Sequence, residues 1–414
     1  MWRCTQVLIA LNICLFANPL HSIESSLSGY ARIIAGVIDD KNVSYLGYDN
    51  SLSFDQHSLV GLQGQLEFSS ALSATVLAEA HSNSNEDSEV KWLYLKYQPT
   101  TSSFIKLGQL RTPFFSKSDV LNVGFSYPWI SPPTEVYIDY LMKNFQGIDF
   151  RYAYLQDNYS AYLEAYYGYF DGEVTKGDFS IDTEVTNLSG LIGELKFGQF
   201  SWRAAYHLGD VSLMIADLET LSDNITSMQT ALGADFNDTI DSLHTCGRAE
   251  FYQIGLEYES LNNFIISEYT LVKPQQDFFP DMNGFYFTVG RHFNNLSAWL
   301  TYGNRQDSLE DAQTEITEQI DNTPTPSSQE EAISLATLQG LDAGYQQVFA
   351  ERQKDNIRSW SLGLRWDFKT NTALKMQLKQ VKAKQPNNAT FAVEDSNFDQ
   401  KTNILLIGLE WVFE

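Results

Sequence analysis

Apolar and polar positions alternate with a period of two along most of this chain. Leu62, Gly64, Leu66 and Phe68 alternate with Gln63, Gln65 and Glu67. Leu191, Gly193, Leu195 and Phe197 alternate with Ile192, Glu194 and Lys196. Trp360, Leu362, Leu364, Trp366 and Phe368 alternate with Ser361, Gly363, Arg365 and Asp367. The last stretch, Asn403 to Glu414, sets Leu405, Ile407, Leu409, Trp411 and Phe413 on one face and Leu406, Gly408, Glu410 and Val412 on the other. Successive side chains of a strand point to opposite faces, so this pattern predicts strands with one apolar and one wet side. About 16 such segments follow one another, each near the length of about 9–11 residues that a tilted membrane-crossing strand needs. They cover 28–37, 57–68, 71–82, 89–98, 103–111, 145–154, 159–170, 188–197, 200–209, 249–259, 262–273, 283–292, 296–304, 357–368, 372–383 and 403–413.

The connections have a rhythm of their own. Ser69-Ser70, Gln156-Asp157-Asn158, Gly198-Gln199, Ser260-Leu261 and Lys369-Thr370-Asn371 read as tight turns. Between them fall the links 38–56, 83–88, 112–144, 171–187, 210–248, 274–282, 305–356 and 384–402, most of them long. Short and long connections therefore lie at opposite ends of the strands, as in a barrel with short periplasmic turns and long extracellular loops. The predicted fold is all-β: a transmembrane antiparallel β-barrel with helical insertions in two extracellular loops.

Those insertions are 210–248 and 305–356. In the first, Leu218, Leu221, Ile225, Met228, Leu232, Phe236, Ile240 and Leu243 recur at steps of three and four, which predicts an amphipathic helix from Ala216 to Leu243. In the second, Ile316 and Ile320 begin a helical pattern, Pro324 and Pro326 break it, and Ala332 to Glu351 resumes it. The link 112–144 differs from both. It reads TPFFSKSDVLNVGFSYPWISPPTEVYIDYLMKN, rich in aromatics and carrying Pro113, Pro128, Pro132 and Pro133. A loop this apolar gains by covering a surface, and the expectation is that it folds inward.

Composition narrows the class. The formal net charge of -25 opposes binding to nucleic acid. Residues 1–22 resemble a cleaved secretory signal peptide: Arg3, an apolar run from Val7 to Ala17, then Asn18 and Pro19. Residues 23–414 are then the barrel. Cys4 and Cys14 leave with the signal, and Cys246 alone makes no internal disulfide. There is no P-loop, G-x-S-x-G, H-E-x-x-H or CxxC motif, so no enzyme, cofactor or metal site is expected. His81, His207 and His292 have lumen parity, which a polar lumen explains. The tract Asn83 to Glu89 is a loose acidic loop without the EF-hand pattern.

The strand number, the signal-like N-terminus, the long third loop and the aromatic last strand together resemble the general Gram-negative porins. So does the passage Leu107-Gly108-Gln109-Leu110-Arg111-Thr112-Pro113-Phe114. The chain departs from that family where Phe413 is followed by Glu414. The resemblance implies an outer-membrane, lipid-embedded homotrimer that passes small hydrophilic solutes and ions by diffusion. It also implies a third loop whose acidic residues face basic residues of the wall. The loop candidates are Asp119, Glu135 and Asp139, and the wall candidates are Arg32, Lys96, Arg111, Arg151 and Arg203. Charges in a narrow, low-dielectric pore are poorly screened, and the acidic balance gives a mild cation preference. Ala74, Ala78 and Ala80 are small lipid-face residues suited to subunit contact. Two other functions fit the same chain. A channel specific for sugars or organic acids would use a ladder of inward aromatics, here Trp92, Tyr94, Tyr162, Tyr166 and Trp299. A receptor or adhesin would bind through the helical loops.

Overall fold

In the computed structural model, residues 23–414 are described except for 84, 85, 87, 139–141, 177–178, 385–389 and 394–399. The signal-like segment 1–22 and Asp139 lie outside the described residues. Strands β1 (Glu24–Ile38), β3 (Leu59–Ser69), β4 (Leu72–His81), β5 (Glu89–Thr100), β6 (Ser103–Arg111) and β7 (Asn144–Leu155) begin the barrel. The long strands β8 (Tyr159–Lys176), β9 (Phe179–Phe197) and β10 (Phe200–Leu213) follow. After them come β11 (Cys246–Glu259), β12 (Asn263–Pro274), β13 (Asp281–Phe293) and β14 (Leu296–Ser308). Strands β15 (Asn356–Lys369), β16 (Thr372–Ala383) and β18 (Lys401–Phe413) complete it. Each strand pairs antiparallel with its neighbours, and β1 closes the ring by pairing with both β3 and β18. Closure pairs each strand of the wall with a neighbour on both sides, as a membrane-crossing barrel requires.

The outward face is apolar all round. Ile33, Leu62, Val76, Leu95, Leu107, Phe150, Leu163 and Leu191 are exposed on successive strands, and Trp202, Ile254, Tyr269, Phe287, Leu300, Leu362, Leu378 and Ile407 continue the belt. In water this surface would be a severe liability, whereas a bilayer matches it. No helix among the described residues is long and apolar enough to cross a membrane.

All of the expected strands form. One expected loop is largely strand: 171–176 and 179–187 continue β8 and β9, with Val174 opposite Ile181 and Thr175 opposite Ser180. A short two-stranded sheet of β2 (Val43–Tyr45) and β17 (Phe391–Val393) joins two other long loops. The expected helix of the first insertion divides into α2 (Ala216–Leu232) and α3 (Asn237–Ser242), because Gly233 takes a left-handed φ of 63° and ends the first. The second insertion holds α4 (Glu315–Asn322) and α5 (Gln329–Glu351). Leu218, Ile225, Phe236 and Leu243 of the first insertion share one core with Ile316, Leu338, Tyr345 and Phe349 of the second. The two insertions are therefore a single packed unit. A short helix, α1 (Thr134–Tyr137), lies in the 112–143 segment.

Candidate functional site: the inward loop and the opening beside it

The segment after β6 folds into the barrel. Its prolines divide it into short turns, and its apolar side chains find the aromatic inner wall. Phe115, Tyr127, Trp129, Val136 and Tyr137 are buried together with Phe251, Phe264, Tyr286 and Trp299 of β11–β14. The Trp129 ring meets Tyr286 edge-on at 5.5 Å between centroids, and Phe114 stacks on Phe251 at 5.2 Å. Trp129 Nε1 donates to Thr301 Oγ1 at 3.1 Å.

A loop inside a barrel cannot leave its peptide groups unpaired, and here the wall satisfies them. The Lys375 ammonium on β16 lies 2.7 Å from Gly124 O, 2.8 Å from Tyr127 O and 2.7 Å from Trp129 O. It is also 2.6 Å from Glu410 Oε2 on β18, with both side chains 1% exposed. Arg365 of β15 donates to Phe125 O and Tyr127 O at 2.7 and 3.0 Å. Glu268 of β12 accepts from Ser116 N and from the Tyr137 hydroxyl at 2.9 and 2.8 Å. Lys117 reaches Glu257 of β11 at 2.6 Å, and Asn122 donates to Glu79 of β4 at 2.7 Å. Gly124 is glycine for a reason of space: a Cβ there would strike the Glu410 carboxylate. The loop is thus fastened around one side of the lumen and leaves the β5–β8 side open.

That opening holds a cavity of about 160 Å3. Asp119 of the loop lines it opposite Lys106 and Arg111 of β6, Asp149 of β7 and Glu164 of β8. The rings of Trp92, Tyr94 and Tyr166 complete its wall. Lys106 Nζ lies 3.5 Å from Asp149 Oδ2. One step away, Arg151 sits 3.5 Å from Glu164 and 3.1 Å from Glu194, above the Tyr162 ring. Lys96 lies over the Phe104 ring at 4.9 Å.

Of the charges singled out from sequence, Asp119 and Arg111 meet at this opening, with Arg151 adjacent and Lys96 elsewhere on the inner face. The other three described ones are fasteners. Arg203 donates to the carbonyls of Pro113 and Phe114 and to Gln253. Arg32 Nη1 donates to the Tyr127 hydroxyl at 3.3 Å. Glu135, expected as a loop acid facing basic residues of the wall, is 1% exposed and pairs with Lys379 of β16 at 2.9 Å. Parity separates inward from outward residues but does not say which sector of the lumen the loop will cover. Sequence reasoning passed over Asp149, Glu164, Lys375 and Lys379. Parity could have found them: Asp149, Glu164 and Lys375 each lie between outward apolar residues, and Lys379 continues the inward row of β16.

The inward histidines are bound into the wall. His207 Nδ1 pairs with the Tyr166 hydroxyl at 2.8 Å, and His81 Nε2 with Glu79 at 3.1 Å. His292 bridges Ser297 Oγ at 2.8 Å and Glu259 at 3.0 Å. This last set has the order of a hydrolytic triad. Ser297 is laddered on both sides, to His292 and Arg365, so its backbone is part of the wall.

No protein-family model matches the chain, and no curated protein matches it. Solved structures do. A loop L8 deletion mutant of OmpT, an outer membrane protein of Vibrio cholerae, superposes with a TM-score of 0.53 at 12% identity, covering 95% of this chain and 100% of that one. Salmonella typhi OmpF, solved with daunomycin, gives 0.53 at 14% identity, covering 94% and 97%. In-vitro folded Vibrio cholerae OmpT in a trimer form gives 0.50 at 11% identity, covering 95% and 100%. The chain has the closed, 16-stranded barrel fold of the outer-membrane porins.

Proposed function

We propose that the protein is a porin of the Gram-negative outer membrane, through which small hydrophilic solutes and ions diffuse down their gradients. The observation that carries this reading is the 112–138 stretch, fastened inside the lumen beside an opening lined by charge. A loop held this way narrows a channel without sealing it. Three carboxylates, Asp119, Asp149 and Glu164, outnumber Lys106 and Arg111 at the opening, which supports a mild cation preference. On this reading no cofactor or catalysis is involved, residues 1–22 direct export, and the helical unit lies outside the cell.

Single-channel recording in a planar bilayer tests it. The wild type opens to a stable conductance, with a reversal potential under a salt gradient on the cation side. Asp119→Asn lowers the cation-over-anion permeability ratio about two- to fivefold, because the lost charge faces a poorly screened pore. No current from a correctly folded barrel overturns the porin reading. An unchanged reversal potential in Asp119→Asn removes Asp119 from the narrowest point.

The same reading includes a homotrimer. Ala78 and Ala80 are exposed on the outer face of β4, and Ala74 shares that face, giving small residues over which two barrels can approach closely. Sedimentation equilibrium in mild detergent should give three times the protomer mass; a protomer-mass species counts against the trimer.

A further inference from the structure

We propose that the compartment between the loop and β5–β8 is a binding subsite for small protonated organic amines that carry an aromatic or other flat body. This rests on the channel reading and goes beyond it, from open diffusion to a preferred solute class.

The unmatched chemistry is that of an acceptor. Asp149 is 5% exposed and lines the cavity. Its Oδ2 faces Lys106, but its Oδ1 accepts no hydrogen bond from the described residues. A buried carboxylate oxygen in that state is costly to leave unmatched and is worth most to a solute that brings a donor. Asp119 from the loop and Glu164 from β8 add negative charge on other sides of the same space.

The cations of the site are already engaged. Arg111 Nε donates to Ser118 O at 3.0 Å, with the guanidinium 5.9 Å over the Trp92 ring. Lys106 is held by Asp149 and lies 5.1 Å over Phe104 and 5.5 Å over Tyr94. The charge left to a visitor is negative. Trp92, Tyr94 and Tyr166 offer ring faces, and an ammonium is attracted both to carboxylates and to such faces. A carboxylate solute would have to compete with Asp149 for Lys106 and with Glu164 and Glu194 for Arg151. A neutral one would leave Asp149 Oδ1 without a strong donor. The cavity of about 160 Å3 suits one ring with a short amine arm.

The test uses one phenol body with three charges: tyramine, the neutral alcohol tyrosol and the anion 4-hydroxyphenylacetate. Each is added to the protein in a planar bilayer carrying KCl current. Tyramine should reduce the current saturably, at a half-blocking concentration about tenfold below the other two, the worth of one charge-assisted hydrogen bond. Asp149→Asn should raise that concentration about tenfold. Glu164→Gln keeps the Lys106–Asp149 contact and should raise it in the same direction, so the test survives if the first variant fails to assemble. Equal block by the three probes, or an unchanged tyramine block in the assembled variants, overturns the subsite while the channel reading stands. Absence of any KCl current overturns both.

Discussion

If the barrel conducts as proposed, Lys375→Met is expected to turn a steady current into a fluctuating one. The Lys375 ammonium is the central fastener of the inward loop, close to three of its carbonyls and to Glu410. Methionine fills nearly the same volume but donates nothing. Three loop carbonyls lose their strongest donor, and the Glu410 carboxylate, 1% exposed, is left buried without its counter-charge. Removing one partner from such a pair costs about 3–5 kcal/mol. Ladder bonds hold the barrel itself, so the cost falls on the loop's hold on the wall. Single-channel records should show added current noise and excursions to higher conductance, with the β-sheet circular dichroism of the barrel retained. Glu410→Gln in the same chain should restore part of the steadiness, because the uncompensated charge is then gone, and a double-mutant cycle measures that coupling. A single quiet current level from Lys375→Met would mean that Arg365, Lys379 and the buried aromatics hold the loop without it.

Why the wall was legible and the loop's pose was not follows from what each surface meets. Within the membrane one face of every strand meets lipid and the other meets the lumen, so Leu405, Ile407 and Leu409 differ sharply from Leu406, Gly408 and Glu410 in environment. Above the membrane both faces of a strand meet water and the contrast fades. That is why 171–187, with Asp171, Glu173, Asp182 and Glu184, read as a loop although most of it extends the β8–β9 ladder. The burial of the aromatics of 112–138 follows from their apolar surface, which is worth more buried than exposed. The sector of the lumen that takes the loop does not. That depends on where β11–β14 present Phe251, Phe264, Tyr286 and Trp299 to receive it, and on where β15 and β16 present Arg365, Lys375 and Lys379 as donors. Glu135 illustrates the difference: its sign and its loop were right for a pore charge, but the fold buries it against Lys379. Asp149 and Glu164 show the converse, acids placed by parity on a wall that had been searched for bases.

The helical unit gives the second large expectation. Tyr345 of α5 is fully buried, and its ring packs on Phe349 at 4.5 Å. Its hydroxyl pairs with Ser242 Oγ of α3 at 2.9 Å and accepts from Gln313 N, ahead of α4, also at 2.9 Å. One side chain thus ties three segments from two loops that are far apart in sequence. Tyr345→Ala removes a large buried ring, worth about 3–5 kcal/mol in a core of this kind, and leaves the Gln313 N–H without its acceptor. The core of the unit is small, so that loss should open it as a whole. Limited proteolysis should then cut within 216–243 as well as within 315–351, although the substitution lies only in the second stretch, and the barrel should keep its β-sheet circular dichroism. Cleavage confined to 315–351 would mean that the insertions hold together independently. Joint opening would also bear on how a receptor role is tested. Deleting 309–354 would strip the cover from Leu218 and Ile225, so a loss of surface binding after that deletion would not by itself assign the binding to α4 and α5. Exposed-face substitutions on α5, such as Ile333→Ser, where the side chain is 60% exposed, leave the shared core in place and are the cleaner probe of what the helices bind.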